Sequence, residues 1–344
     1  MGESTKGVAD PIRLEGKRWD PLPDLGDDPS LNISGIACRI EPDGSRTCLV
    51  VYDEKRHAAF LTLRGKHFTD RRRIRLLDPD PSDDDDADLE AAAISGGYWW
   101  AFGSHSRKKK GTGDVVTKLR PSRRHLYRFP VGKVGPVDFA LDTDDRADAV
   151  EVVSDLFDRL ALPADLHARL EAPIPLREGG VNIEGGTVID GRMVLGFRAA
   201  SVAEPRTADG ALVVVCEAEA VFGTGAIAAE VHDLRLGPGM GVRGLVPAGK
   251  SFAEGFLVLA GASLPDDHDD PAMTEKQPST IWFWNGTSGA APIRLGVLDD
   301  VPKDGKPEAL LVLDADAAGW RILVLCDGVA GGAPAEYRVR VPPP

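Results

Sequence analysis

A short phrase recurs along this chain of 344 residues: Asn32-Ile33-Ser34-Gly35, Asp88-Leu89-Glu90-Ala91 and Asn182-Ile183-Glu184-Gly185. Each copy opens a strand-like run, passes a glycine-containing turn and is answered by a second apolar run ending in polar residues. The answering runs are CLVVYDE (48–54), YWWAFGSHS (98–106) and MVLGFRAA (193–200). Two looser copies follow at 241–263 and 307–328. A supersecondary unit repeated at this scale builds blades or stacked repeats, each new unit burying the face its neighbour leaves open.

The runs themselves are β in character. CLVVY, ALVVVC, GFLVLAG, TIWFWNG and RILVLC are β-branched and aromatic and too short for core helices. The expectation is an all-β chain, a β-propeller in which each blade carries its own small core. The phrase recurs at intervals of about 56, 94, 59 and 66 residues. The long interval reads as hiding a poorly marked blade within 120–178, giving six blades, with seven as the alternative. Residues 1–30 read as an irregular N-terminal segment and 31–340 as one propeller domain. One stretch departs from the β pattern: over 145–170, Ala149, Val152, Val153, Leu156 and Leu160 have helical spacing that Pro163 interrupts, predicting one or two short helices inserted between strands and packed on the propeller side.

Composition narrows the classes. A formal charge of −13 disfavours nonspecific nucleic-acid binding. No run of about 18 apolar residues exists to cross a membrane, and the first residues lack an apolar signal core. The expected location is therefore cytoplasmic. Cys38 and Cys48 flank a Pro-Asp-Gly turn and can face one another across a hairpin. In a cytoplasmic chain, however, all four cysteines are expected as buried free thiols. Two charge runs, seven Asp in 78–88 and nine Lys or Arg in 107–128, read as solvated loops.

Strand geometry places the candidate chemistry. The start of one antiparallel strand lies beside the end of its partner, so Asn32 and Ser34 should approach Asp53, Asp88 and Glu90 should approach His105, and Asn182 and Glu184 should approach Arg198. Radial repetition then brings these groups, with Arg243, Glu308 and Asp327, to one rim of a central channel. Clustered carboxylates suit calcium, a hard cation taking six to eight oxygens. The expected metal ligands are Asp88, Glu90, Glu184, Glu308 and Asp327. Ser104, Arg107, Asn182, Arg198, Arg243 and Asp53 are the expected contacts to an anionic small molecule. Glu90, His105 and Glu184 are the candidate acid–base groups for hydrolysing a phosphoester. The competing reading is a non-catalytic scaffold that holds a protein partner on a propeller face or on the 145–170 helix.

Gly244 to Ser251 matches the phosphate-loop pattern GxxxxGK[ST] letter for letter. A β-type run follows it where a helix is required, so a hairpin turn is the better reading.

Taken together, DLEAAA…WWAFGSHSRKKKG…RPSRRHLYRF, GGVNIEGGTV…GRMVLGFRAA, GMGVRGL…FLVLAG and PEALLVL resemble the bacterial domain of unknown function 3616 family over roughly residues 31–330. The resemblance implies a β-propeller and a loose similarity to the esterase-like domain of phytase. It directs attention to Asp88, Glu90, Ser104, His105, Arg107, Asn182, Glu184, Arg198, Arg243 and Glu308. The chain departs from the pattern in Ala91, where the other phrases have Gly, and in Ser34, where they have Glu.

Overall fold

A computed structural model describes residues 12–23, 32–53, 57–77, 87–110, 116–118, 121–132, 149–172, 174, 180–199, 210–263 and 277–341. Among them, five antiparallel sheets stand around one axis. Blade 1 comprises Ile33–Ile40, Arg46–Tyr52, His57–Arg64 and His67–Arg75. Blade 2 comprises Leu89–Ser95, Tyr98–Gly103, Leu126–Pro130 and Glu151–Val153. Blade 3 takes Asn182–Ile189, Arg192–Ala199, Gly210–Glu217 and Ile227–Arg235, with Leu160–Ala161 added in parallel outside. Blade 4 takes Met240–Pro247, Phe256–Ala262, Thr280–Trp284 and Ile293–Leu298. Blade 5 takes Lys306–Asp316, Gly319–Asp327 and Ala335–Arg340.

The N-terminal residues, expected to be irregular, complete two blades. Arg13–Leu14 adds a parallel strand to blade 4 and Lys17–Arg18 forms the outer strand of blade 5. Leu14, Trp19 and Leu22 are buried there.

The count is five, not six. Among the described residues the long interval contains no sixth blade. It supplies the outer strands of blade 2, a short ribbon of Lys108–Lys110 with Val116–Lys118, and two helices, Leu156–Arg159 and Ala164–Glu171. The helical spacing over 145–170 is thus realised only in part. Val152 and Val153 pair with Tyr127 and Leu126 as strand, while Leu156, Phe157, Leu160, Leu166 and Leu170 are buried against blades 2 and 3. The insertion therefore has its apolar face covered by blades 2 and 3. The acidic run lies outside the described residues except for Ala87 and Asp88; of the basic loop, 111–115 and 119–120 lie outside them.

The core is also placed differently. Five apolar clusters lie between blades rather than within them. In the strand Arg46–Tyr52, Cys48, Val50 and Tyr52 face blade 5, whereas Leu49 and Val51 face blade 2. Period-2 alternation between two buried faces makes CLVVY apolar throughout. The same register sets Cys38 directly opposite Cys48, and the two form a disulfide with Cα atoms 4.0 Å apart. The free-thiol expectation fails for this pair, because the hairpin brings them within bonding range. Cys216 and Cys326 are free and buried, and burial pushes both thiols up to about 12. No helix among the described residues is long and apolar enough to cross a membrane.

The recurrent phrase has a structural cause. Each inner strand breaks register at one residue near its start: Ser34, Glu90, Glu184, Arg243 and Glu308. A bulge re-aims a side chain out of the alternating pattern, and four of these five line the central channel. The next residue is always small, Gly35, Ala91, Gly185, Gly244 or Ala309, because neighbouring inner strands close in there. A Cβ on Gly35 would lie 2.8 Å from the Cα of Ala91 and from Cγ2 of Val51. Gly35→Ala is expected to lose about 1–3 kcal/mol through overpacking. A shift in urea midpoint at unchanged slope checks this; an unshifted midpoint would mean that the inner strands can separate freely.

Candidate functional site

The channel end beside the bulges is lined by Ser34, Glu90, Glu184 and Glu308 with small residues beneath. Glu184 is the most heavily bonded. Its carboxylate accepts from Asn182 Nδ2 at 2.6 Å, Arg198 Nη1 at 3.0 Å and Arg243 Nη1 at 2.8 Å. Arg243 Nη1 also donates to Glu308 Oε1, joining blades 3, 4 and 5 through one buried guanidinium. Burial opposes the charge on Arg243, but Glu184 and Glu308 outweigh it and hold its pKa above the ordinary value. The pairing of Glu184 with Arg198 is the one strand geometry predicts. The cross-blade bond to Arg243 requires the ring order.

Glu90 has a different environment. It is buried, and among the described residues it has neither a cation nor a hydrogen-bond donor. Burial first, then the charges of Glu184, Asp88, Glu308 and Asp53, raise its pKa well above the usual carboxylate range. Burial likewise pushes Glu308 up to about 8 against the opposing pull of Arg243. Glu90 therefore keeps its proton to higher pH than an ordinary carboxylate does. Two further groups hold unused capacity: Ser34 Oγ and Asn182 Oδ1 are buried without a partner, each residue 1 % exposed.

The other expected site residues are directed elsewhere. Asp88 accepts from Ser104 Oγ, from Ser106 Oγ at 2.9 Å and from Arg123 Nη1 at 2.7 Å. This is a closed network in which Arg123 is a residue sequence reasoning missed. Its only signal was membership of the basic run. Ser104 also accepts, through its carbonyl, the N–H of Ile183 at 2.8 Å, tying blade 2 to blade 3. His105, at φ 59°, packs its ring on Phe157 at 4.6 Å. Burial lowers it to about 4, so it is neutral. It faces the inserted helices rather than Glu90, because the strained turn reverses the direction its strand would have given. Arg107 donates to the carbonyl of Glu171 at 2.8 Å and anchors a helix end. Asp327 pairs with Lys306 at 3.6 Å, and burial raises its pKa. Asp53 sits half-buried at the end of its strand, beside Asn32.

The five expected calcium ligands are thus not brought together. Asp88 is enclosed by Arg123 and two serines, and Glu184 and Glu308 are bonded to guanidinium. Among the described residues no three His, Cys, Asp or Glu side chains converge on a metal position. The residues present do not offer the six to eight oxygens calcium takes.

The phosphate-loop look-alike is a hairpin turn. Met240–Pro247 leads into a 3-10 turn, Phe252–Glu254, and then into Phe256–Ala262. Glu254 Oε1 accepts from Lys250 N and Ser251 Oγ, both at 3.0 Å, so a carboxylate occupies the donors a phosphate would need.

Among solved structures the chain is similar to the α-L-arabinofuranosidase PaAbf62A from Podospora anserina, at 9 % identity over 97 % of this chain and 98 % of that one, TM-score 0.45. It is also similar to Zg3597, a family 117 glycoside hydrolase of the marine bacterium Zobellia galactanivorans, at 12 % identity over 95 % and 90 %, TM-score 0.47. The WD40 β-propeller domain of Doa1 matches at 9 % identity over 90 % of this chain and 66 % of that one, TM-score 0.35. At these values the likeness carries nothing about activity. No curated protein matches the chain. The model of the protein family of unknown function DUF3616 matches residues 37–332, and the chain belongs to that family.

Proposed function

We propose that the channel mouth binds a small polar molecule and that Glu90 is its central contact. The observation that supports this is unused hydrogen-bonding capacity: the Glu90 carboxyl and the unpartnered Ser34 hydroxyl, both buried, line one end of one channel. Buried polar groups are normally satisfied, and leaving one unpaired costs about 1–3 kcal/mol. A ligand that fills them recovers that cost. Proton transfer from Glu90 is the chemistry such a site offers to a bound molecule. An anion held through calcium, with phosphoester hydrolysis, has less support, since Arg198 and Arg243 are already matched by carboxylates.

A thermal-shift screen of the full chain with small polyols, amines and carboxylic acids tests the reading. A saturable rise lost in both Ser34→Ala and Glu90→Gln is expected, because a ligand of the folded state raises its stability. Hits insensitive to both substitutions would place binding elsewhere.

Glu90 also shapes stability with pH. Its folded pKa lies above the unfolded one, so the folded chain keeps a proton the unfolded chain releases. Stability from this group is fully present below the ordinary carboxylate range. It falls as pH rises toward the folded pKa, at about 1.4 kcal/mol per pH unit. Glu308 adds a decline of the same sign up to about pH 8. Glu90→Gln is expected to flatten the profile between pH 5 and 8 and to be the more stable protein at pH 8. Urea midpoints across that range check it, and parallel profiles would show Glu90 ionised throughout.

A further inference from the structure

Around the channel the bulge residues run in blade order: Ser34, Glu90, Glu184, Arg243, Glu308, and back to Ser34. Arg243 occupies the position between two carboxylates, Glu184 and Glu308, and donates to both. The position between Glu308 and Glu90 belongs to Ser34. Its hydroxyl is 99 % buried by residue, has no partner, and lines the same space as both acids. The ring therefore carries a cation on one side and a short, unsatisfied hydroxyl at the equivalent place on the other.

We propose that the channel mouth takes a ligand bearing a primary ammonium or guanidinium group, seated over Ser34 between Glu90 and Glu308 in the role Arg243 fills across the ring. This deepens the small-molecule reading above and rests on it. The chemistry matches atom for atom: a cationic nitrogen brings only N–H donors, and Glu90, Glu308 and Ser34 Oγ can all accept. Asp53 adds negative charge close enough to act on Glu90. A bare divalent ion is the poorer fit, since no three metal-binding side chains converge among the described residues. Two carboxylates flanking a hydroxyl suit a few directed N–H bonds better than a shell of six to eight oxygens.

The test is calorimetry and thermal unfolding of the full chain with agmatine and butylamine. Butanediol serves as the neutral control, and calcium chloride and sodium chloride are matched in ionic strength. A saturable response to the amines is expected, with affinity reduced at least tenfold in Glu90→Gln and unchanged in Lys250→Ala, which lies on a distant turn. Ser34→Lys, which supplies its own cation, is expected to melt higher than wild type and to ignore amines. An amine response that survives in Glu90→Gln and Ser34→Lys overturns the proposal, as does a shift produced by calcium alone. If butanediol or other neutral polyols bind while amines do not, the amine assignment falls and the channel reading stands. If nothing in the screen binds, both fall.

Discussion

Arg243→Met is expected to lose about 3–5 kcal/mol of folding stability, the cost typical of removing one partner from a buried ion pair. The arginine is 6 % exposed and neutralises two acids from different blades. Without it Glu184 keeps Arg198, but Glu308 faces Glu90 and Glu184 with no cation of its own. The loss should therefore grow with pH, as Glu308 becomes harder to hold protonated. Adding Glu308→Gln to Arg243→Met should recover part of it, since the second substitution removes the stranded charge. Urea unfolding of the two variants at pH 6 and pH 8 checks both statements. A loss below about 1 kcal/mol would mean that water reaches these groups and screens them.

Deleting residues 1–22 is expected to do more. Leu14, Trp19 and Leu22 leave buried sites between or beside blades 4, 5 and 1. At roughly 1.5–3 kcal/mol for each large apolar side chain, the loss is on the order of 5–9 kcal/mol. That is comparable to the whole stability of a typical domain. The outer edges of blades 4 and 5 are bared as well, leaving unpaired strand groups that invite association. The truncated chain should lack a cooperative thermal transition, and a peptide spanning residues 10–23 added in trans should restore one. A normal melt from the truncated chain would show that the ring is closed by its inner strands alone.

How much of this was legible depended on distance along the chain. The phrase at 32–35, 88–91 and 182–185 marks polar residues where an apolar inner strand bulges, and that local contradiction exposes the channel positions without a structure. Glu184 with Arg198 follows from hairpin register, fourteen residues apart. The blade count did not follow. Outer strands such as HFTDRRRIR are rich in charge and do not read as strands, while Val152 and Val153 satisfy helical and strand spacing equally well. Arg123 was hidden in a run of like charges, where no single residue stands out. His105 was misplaced because the positive φ of its turn cannot be read from its neighbours. Pairings such as Arg18 with Ala335 have no local trace at all.

That last pairing sets an order of events during synthesis. Trp19 leaves the ribosome early, yet its backbone N–H bonds to Pro334 and its indole to Glu336, residues made more than three hundred positions later. Until then the nascent chain is an arc with two raw ends, and its first tryptophan waits in solvent. Contacts of such long sequence separation form late and slowly. A chain stalled before residue 335 therefore presents an open sheet edge and an exposed aromatic, and the arrival of Ala335–Arg340 conceals both at once.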